Sequence, residues 1–150
     1  MDISESQIYE GPVTALGGEG PNARWIVVNP AGRLHAHSLD DPLDLHCMPI
    51  GLLQIAFDAG RVRLIDTQPD HPVIHLQREK ERLGIRDTHL GLHGAQLDAM
   101  LQLLEKAVAT GADYARYLAG EILAGVAASH SAADEMRAVR DRVMTMLGGY

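Results

Sequence analysis

The segment from residue 24 to residue 37 combines a continuous apolar run with a stretch in which apolar and polar residues alternate. Trp25 to Val28 is a β-branched and aromatic run, which is typical of a buried strand. Asn29 to Gly32 follows, with a proline at the second turn position and a glycine at the fourth that can adopt positive φ. Apolar and polar residues then alternate from Arg33 to His37. This pattern predicts a β-hairpin.

A similar order of residues recurs further along the chain. Leu52 to Phe57 reads as a strand, Asp58 to Gly60 as a turn, and Arg61 to Ile65 as the returning strand. Both turns end in Ala-Gly-Arg, and Val73 to Leu76 is a further short apolar run. Two similar hairpins predict an antiparallel sheet of four to six strands between residues 8 and 77.

The period of the apolar positions changes to 3.6 residues after about residue 90, as expected for amphipathic helices. Three stripes follow, over residues 94–110, over residues 112–129, and from Met136 to Leu147. The sequence therefore predicts an α+β fold in a single domain, 1–150. An antiparallel sheet in the N-terminal half (8–77) packs against two or three C-terminal helices (94–147).

The second helical stripe is unusually rich in small residues, among them Ala115, Ala119, Gly120 and Ala124. Glycine costs about 1 kcal/mol in a helix interior, so close packing must offset its presence there. We expect this Ala/Gly-rich helix to meet another helix at short distance, either within the domain or across a homodimer.

A short charged run alternates in sign, with Glu79 and Glu81 interleaved between Arg78, Lys80 and Arg82. Such alternation is typical of a solvent-exposed helix face with ion pairs along it, and we expect these side chains to be solvated.

The net charge of -7 excludes some classes of partner. Ten acidic residues and four arginines lie in residues 1–70, so that half carries six of the seven net negative charges. Nucleic-acid binding requires a basic surface, and the aromatic content of 4% is too low for base stacking, so we expect no direct nucleic-acid partner. An acidic surface instead favours a basic protein partner.

The location of the protein is predicted from three features. No run approaches the roughly 20 apolar residues of a membrane span, so we expect no membrane partner. The first twelve residues carry acids rather than a basic and then apolar run, so we expect no secretory signal. The single cysteine, Cys47, fits a reducing compartment. Together these features predict a cytoplasmic protein.

Histidines supply the candidate metal ligands. His35 and His37 lie two apart on a predicted strand and share a face, and His46 follows within ten residues. Because Leu34 and Ala36 occupy the apolar positions of that strand, we expect both imidazoles on its solvent face. We therefore predict no metal and no other cofactor. If a metal binds, these three histidines are the candidate ligands.

No catalytic residue is predicted, and the protein is more consistent with a non-enzyme. Cys47 has His46 beside it, but neighbours on a strand face opposite ways. Ser38 lacks the G-x-S-x-G context of a nucleophile elbow. A buried thiol with a packing role is the commoner outcome for a lone cysteine.

Aspartates cluster after the two predicted hairpins, and we interpret them as partner-binding residues. If the hairpins are equivalent, both loops emerge at one edge of the sheet and combine their charge. Loops on a rigid scaffold often carry binding residues. The five residues are Asp40, Asp41, Asp44, Asp66 and Asp70.

The leading hypothesis is a non-enzymatic protein-binding module that engages a basic partner surface through these acidic loops. Inhibitors, immunity proteins, anti-defence proteins and chaperones of comparable size and charge are the analogy. Eleven arginines against two lysines suggest a bacterial or phage genome. One alternative is a small metal-dependent enzyme using His35 and His37 with nearby carboxylates. A second alternative is a homo-oligomeric structural protein.

Overall fold

A computed structural model describes residues 2–14, 16, 19–85, 91–129 and 132–148. Within these residues five strands form one antiparallel sheet in the order β4-β3-β2-β1-β5. The predicted α+β class is confirmed. The strands are β1 (Gln7–Glu10), β2 (Arg24–Val28), β3 (His35–Ser38), β4 (Cys47–Pro49) and β5 (Arg63–Thr67).

The first predicted hairpin is confirmed. Strands β2 and β3 pair in antiparallel register, with Val28 opposite His35 and Trp25 opposite Ser38. A short 3-10 helix, Pro30–Gly32, makes the connection. Gly32 has φ +80°, which is the positive φ that the turn required of this glycine.

The second predicted hairpin is wrong, because its first arm is a helix. Helix α1 (Ile50–Asp58) replaces the expected strand, and its buried residues Leu53 and Ala56 lie three positions apart, as on a helix face. Gly60, with φ +75°, follows the helix, and the amide of residue 61 returns to the carbonyl of Ala56 at 2.9 Å. Strand β5 then crosses to pair with β1.

The predicted strand over Val73 to Leu76 is also wrong. These residues lie in helix α2 (Pro72–Arg82). Proline at the first helical position costs no hydrogen bond, and Nδ1 of His71 accepts one from the amide of Val73 at 3.1 Å. The proline therefore begins a helix here, with the preceding histidine as its N-cap.

Three helices follow α2 in the described part of the chain, at the three positions where the apolar stripes predict them. They are α3 (Gly94–Thr110), α4 (Ala115–Ala128) and α5 (Ala133–Met146). Helix α4 packs against both α3 and α5. No helix among the described residues has the length and apolar content that a membrane span requires.

The central strands are covered on both faces. On the first face, Trp25, Val27 and Ala36 pack in one cluster with residues of α1. On the second face, Ile26 and Val28 pack in another cluster with the apolar side chains of α2. The expectation of one solvated face therefore fails for β2 and β3, and polar residues on the second face of these strands are buried.

Two of the small residues of α4, Ala119 and Gly120, are covered by the chain's own elements. Ala119 lies fully buried in the apolar cluster shared with α3 and α5. Gly120 instead faces the loop between β3 and β4, because a Cβ at this position would lie 1.7 Å from the carbonyl oxygen of Pro42. The close contact expected of this helix is thus partly to a loop. A homodimer through the same residues remains an untested prediction.

Candidate functional site

A cavity of about 780 Å³ lies at the end of the sheet where β3 leads into β4. Trp25 and Met48 contribute from the sheet, and Glu121 and Ala124 contribute from α4. Residues 39–46, which join β3 to β4, supply much of the remaining wall. Its volume is in the range of ligand-binding pockets, about 300–1,000 Å³.

The structure brings three of the five predicted partner-binding residues together at this cavity. Asp40, Asp41 and Asp44 all line it. Asp66 and Asp70 do not, because β5 runs antiparallel to β3 and its C-terminal end lies at the opposite end of the sheet. The expectation that the two loops combine rested on two equivalent hairpins, but the first arm of the second one is helix α1.

Two of these aspartates also hold the loop in shape. A carboxylate oxygen of Asp40 accepts a hydrogen bond from the amide of Arg24 at 3.0 Å. Asp41 accepts one from the amide of Leu43, also at 3.0 Å, which forms a turn that aspartate often initiates. The third, Asp44, is largely exposed, and its carboxylate lies 3.8 Å from the imidazole of His46.

A fourth acid at the cavity, Glu19, was not among the predicted residues. Its carboxylate accepts hydrogen bonds of 3.1 Å from both the amide and the hydroxyl of Thr14, and both residues line the cavity. Glu19 follows a glycine-rich stretch for which the sequence predicts only a loop. No pattern in the sequence indicated that Glu19 lies near the end of β3.

The acids at the cavity mouth are only partly compensated by cations. Asp40 pairs with Arg24 at 3.6 Å, although both side chains are about half exposed. No lysine or arginine of the described residues forms an ion pair with Glu19, Asp41 or Asp44. Within the described part of the chain these three carboxylates therefore have no lysine or arginine as a countercharge, and their field attracts cations.

His37 is buried, and its predicted place on a solvent face is wrong. Its exposure is 0%, because Ile26 beside it on β2 belongs to the covered second face of the sheet. Ring atom Nδ1 lies 3.0 Å from the carbonyl oxygen of Ser38, and Nε2 lies 3.5 Å from Oε1 of Glu121. Both ring nitrogens therefore face oxygen atoms.

The three candidate metal ligands do not converge. His35 is half-buried, with Nδ1 3.0 Å from the carbonyl oxygen of Arg33, while His46 is exposed beside Asp44. Across the residues that the structure describes, no group of three or more His, Cys, Asp or Glu side chains is arranged to hold a metal ion. That the protein binds no metal remains a prediction for metal analysis.

A buried polar network lies behind the cavity and was missed by the sequence analysis. Glu121 on α4 accepts hydrogen bonds from Nζ of Lys80 at 2.8 Å and from Nε2 of Gln77 at 2.9 Å, both on α2. Lys80 was expected on a solvated helix face, yet it is only 3% exposed, because that face of α2 packs against α4. The spacing of Val73, Leu76 and Lys80 along one helix face was the available signal.

The carboxyl of Glu121 is held in its ionised form. Burial would raise its pKa, but the charge on Lys80 and the contact with His37 outweigh this effect and hold the pKa well below its ordinary value. Because its oxygens are already hydrogen-bonded to Lys80 and Gln77, this carboxylate connects α4 to α2.

Cys47 lies near His37 and Glu121, as the residues of a nucleophilic triad would, but the thiol is not activated. It is the register partner of His37, so both side chains lie on the second face of the sheet. Burial, with a further contribution from the charge on Glu121, raises the pKa of the Cys47 thiol to about 12. The thiol is therefore protonated at neutral pH and is a poor nucleophile.

Comparison of the chain with protein-family models, with curated proteins and with solved structures found no match.

Proposed function

We propose that this protein is a non-enzymatic binding module that engages a basic protein surface through the acidic cavity at the end of β3. Inhibitors, immunity proteins and chaperones are the kinds of protein that act in this way. The observation that supports this proposal is that Asp40, Asp41 and Asp44 line one cavity together with Glu19. Carboxylates around a concave site concentrate a negative field and favour a positively charged partner.

The chemistry of the cavity supports binding over catalysis. The thiol of Cys47 is protonated because burial raises its pKa to about 12. The buried carboxylate of Glu121 is ionised and already hydrogen-bonded. Neither group is prepared for nucleophilic or acid–base chemistry, whereas the exposed carboxylates are suited to contact a cationic surface.

The test uses one charge reversal at the cavity and a matched reversal elsewhere. Asp44 is the suitable position, since Asp40 and Asp41 accept backbone hydrogen bonds that a lysine could not replace. Asp44→Lys changes the net charge by the same amount as Asp70→Lys at the opposite end of the sheet. The probe is a fluorescent oligo-arginine peptide, and its affinity is measured by anisotropy at low and high salt.

We expect the affinity to fall by roughly tenfold or more in Asp44→Lys and to change little in Asp70→Lys. Wild-type binding should also weaken as salt rises, because the partners attract through partly screened charges. Equal affinities for the two variants would overturn the proposal, since the partner would then respond to net charge and not to the cavity.

A further inference from the structure

The acidic cavity has an apolar interior, and we infer that it binds a large apolar side chain of the partner, leucine or phenylalanine, flanked by basic residues. This inference rests on the proposed function and makes it more specific. Charge alone would explain attraction to any cationic surface. The interior of the cavity adds a requirement for one apolar residue at the centre of the bound segment.

The interior and the mouth of the cavity differ in chemistry. Ala23 and Trp25 are almost fully buried and Met48 is partly buried, and all three line the same cavity as the exposed aspartates. Ala124 of α4 adds a small apolar side chain to the same lining. An apolar interior surrounded by polar and charged residues is the usual arrangement of an interface hot spot.

Two polar side chains that line the interior already have hydrogen-bond partners within the protein. Glu121 is hydrogen-bonded to Lys80 and Gln77, and the hydroxyl of Ser38 accepts a hydrogen bond from the amide of His46 at 2.9 Å. The carboxylate of Glu121, which lines the cavity, already has the ammonium of Lys80 as its countercharge. The interior therefore favours an uncharged, apolar group.

The mouth of the cavity has the opposite preference. Asp44 and Asp41 are exposed, and neither pairs with a lysine or arginine of the described residues. Each carboxylate has spare acceptor capacity for a cation beside the bound side chain. Charge complementarity thus places basic residues on either side of the apolar anchor.

The experiment compares short peptides that have equal charge and different central residues. The probes are acetyl-Lys-Arg-X-Arg-Lys-amide, with X as glycine, leucine or phenylalanine. The chain has a single tryptophan, Trp25, which lines the cavity, so a change in its emission on binding identifies this site. We expect the leucine or phenylalanine peptide to bind at least roughly tenfold more tightly than the glycine peptide and to shift the Trp25 emission.

A cavity-filling variant separates this inference from the proposed function. Ala124→Leu fills part of the cavity and should bring the affinity for the leucine and phenylalanine peptides down to that for the glycine peptide. The peptide series uses the wild-type protein alone, so it still tests the apolar anchor if Ala124→Leu fails to fold.

Equal affinities for all three peptides, lost in Asp44→Lys, would overturn the apolar anchor and leave the proposed function standing. Equal affinities that Asp44→Lys does not change would overturn both. Tighter binding of the leucine peptide that Ala124→Leu does not reduce would place the contact elsewhere and would also overturn the inference.

Discussion

The Nζ atom of Lys80 lies 2.8 Å from Oε2 of Glu121, and the two side chains are buried together between α2 and α4. Gln77 adds a second hydrogen bond from α2 to the same carboxylate. On the sheet side, Nε2 of His37 lies 3.5 Å from Oε1 of Glu121. The carboxylate therefore joins three elements, and its partners satisfy a charge that would otherwise be costly to bury.

Removing one partner of this pair should destabilise the protein strongly. Lys80→Met leaves the carboxylate of Glu121 buried without its ammonium, which typically costs about 3–5 kcal/mol in free energy of unfolding. The exposed pair of Arg137 and Asp134 is the control, because Asp134→Ala should cost less than about 1 kcal/mol. Urea unfolding measures both.

The double variant Lys80→Met/Glu121→Leu should recover much of the stability that Lys80→Met loses. Replacing a buried pair by apolar residues of similar size is often close to neutral, because both desolvation costs disappear together. If Lys80→Met unfolds at the same urea concentration as the wild type, the pair contributes no net stability and is not buried between α2 and α4.

The stability that Glu121 contributes should depend on pH in the acid range. A carboxyl whose folded-state pKa lies below its unfolded value stabilises the fold above the unfolded value, near 4.3–4.5, and loses that contribution as the pH falls through the folded-state pKa. The difference in unfolding free energy between wild type and Glu121→Gln should be constant from pH 7 to pH 5. Below about pH 4.5 it should shrink by about 1.4 kcal/mol per pH unit. A difference that stays constant to pH 3 would contradict an ionised, paired Glu121.

Cys47 should alkylate slowly even though it lines an open cavity. With a pKa of about 12, its thiolate fraction at pH 8 is on the order of a thousandfold lower than that of an unfolded thiol. Iodoacetamide labelling followed by mass spectrometry measures the rate, and the urea-unfolded protein is the control. Glu121→Gln should accelerate labelling, because the negative charge of Glu121 helps to raise the pKa. Native labelling as fast as the unfolded control would show that the thiol is not shielded.

The sequence predicted the parts of the fold whose local pattern has one physical interpretation. The C-terminal helices repeat apolar residues over several turns, and the hairpin of β2 and β3 combines alternation with a proline-glycine turn. Residues 50–60 were ambiguous, because a short apolar run ending in glycine fits a strand with a turn or a helix with a glycine after its end. Gly60 adopts positive φ in either case. Only the packing of Leu53 and Ala56 on the sheet distinguishes the two.

The candidate site was predictable only in part, because it depends on contacts between distant segments. Asp40, Asp41 and Asp44 are close in sequence, so their common location follows from one loop. Glu19 and Glu121 reach the cavity from other elements, and tertiary packing alone determines their positions. The burial of His37 was missed for the same reason, since alternation along β3 cannot indicate how many faces of the sheet are covered.

The same glycine-to-alanine substitution should have opposite effects at two helical positions. A Cβ at Gly51 in α1 would meet no atom of a neighbouring element within 4 Å, so Gly51→Ala should stabilise the protein by up to about 1 kcal/mol through helix propensity. At Gly120, a Cβ would lie 1.7 Å from the carbonyl oxygen of Pro42, so Gly120→Ala must displace the loop that lines the cavity. Despite the gain in helix propensity, we expect a net loss of about 1–3 kcal/mol and altered Trp25 fluorescence. Thermal unfolding of both variants tests this contrast. Equal stabilisation by both alanines would mean that the loop between β3 and β4 does not contact α4. The cavity would then not have this loop packed against α4 as its wall.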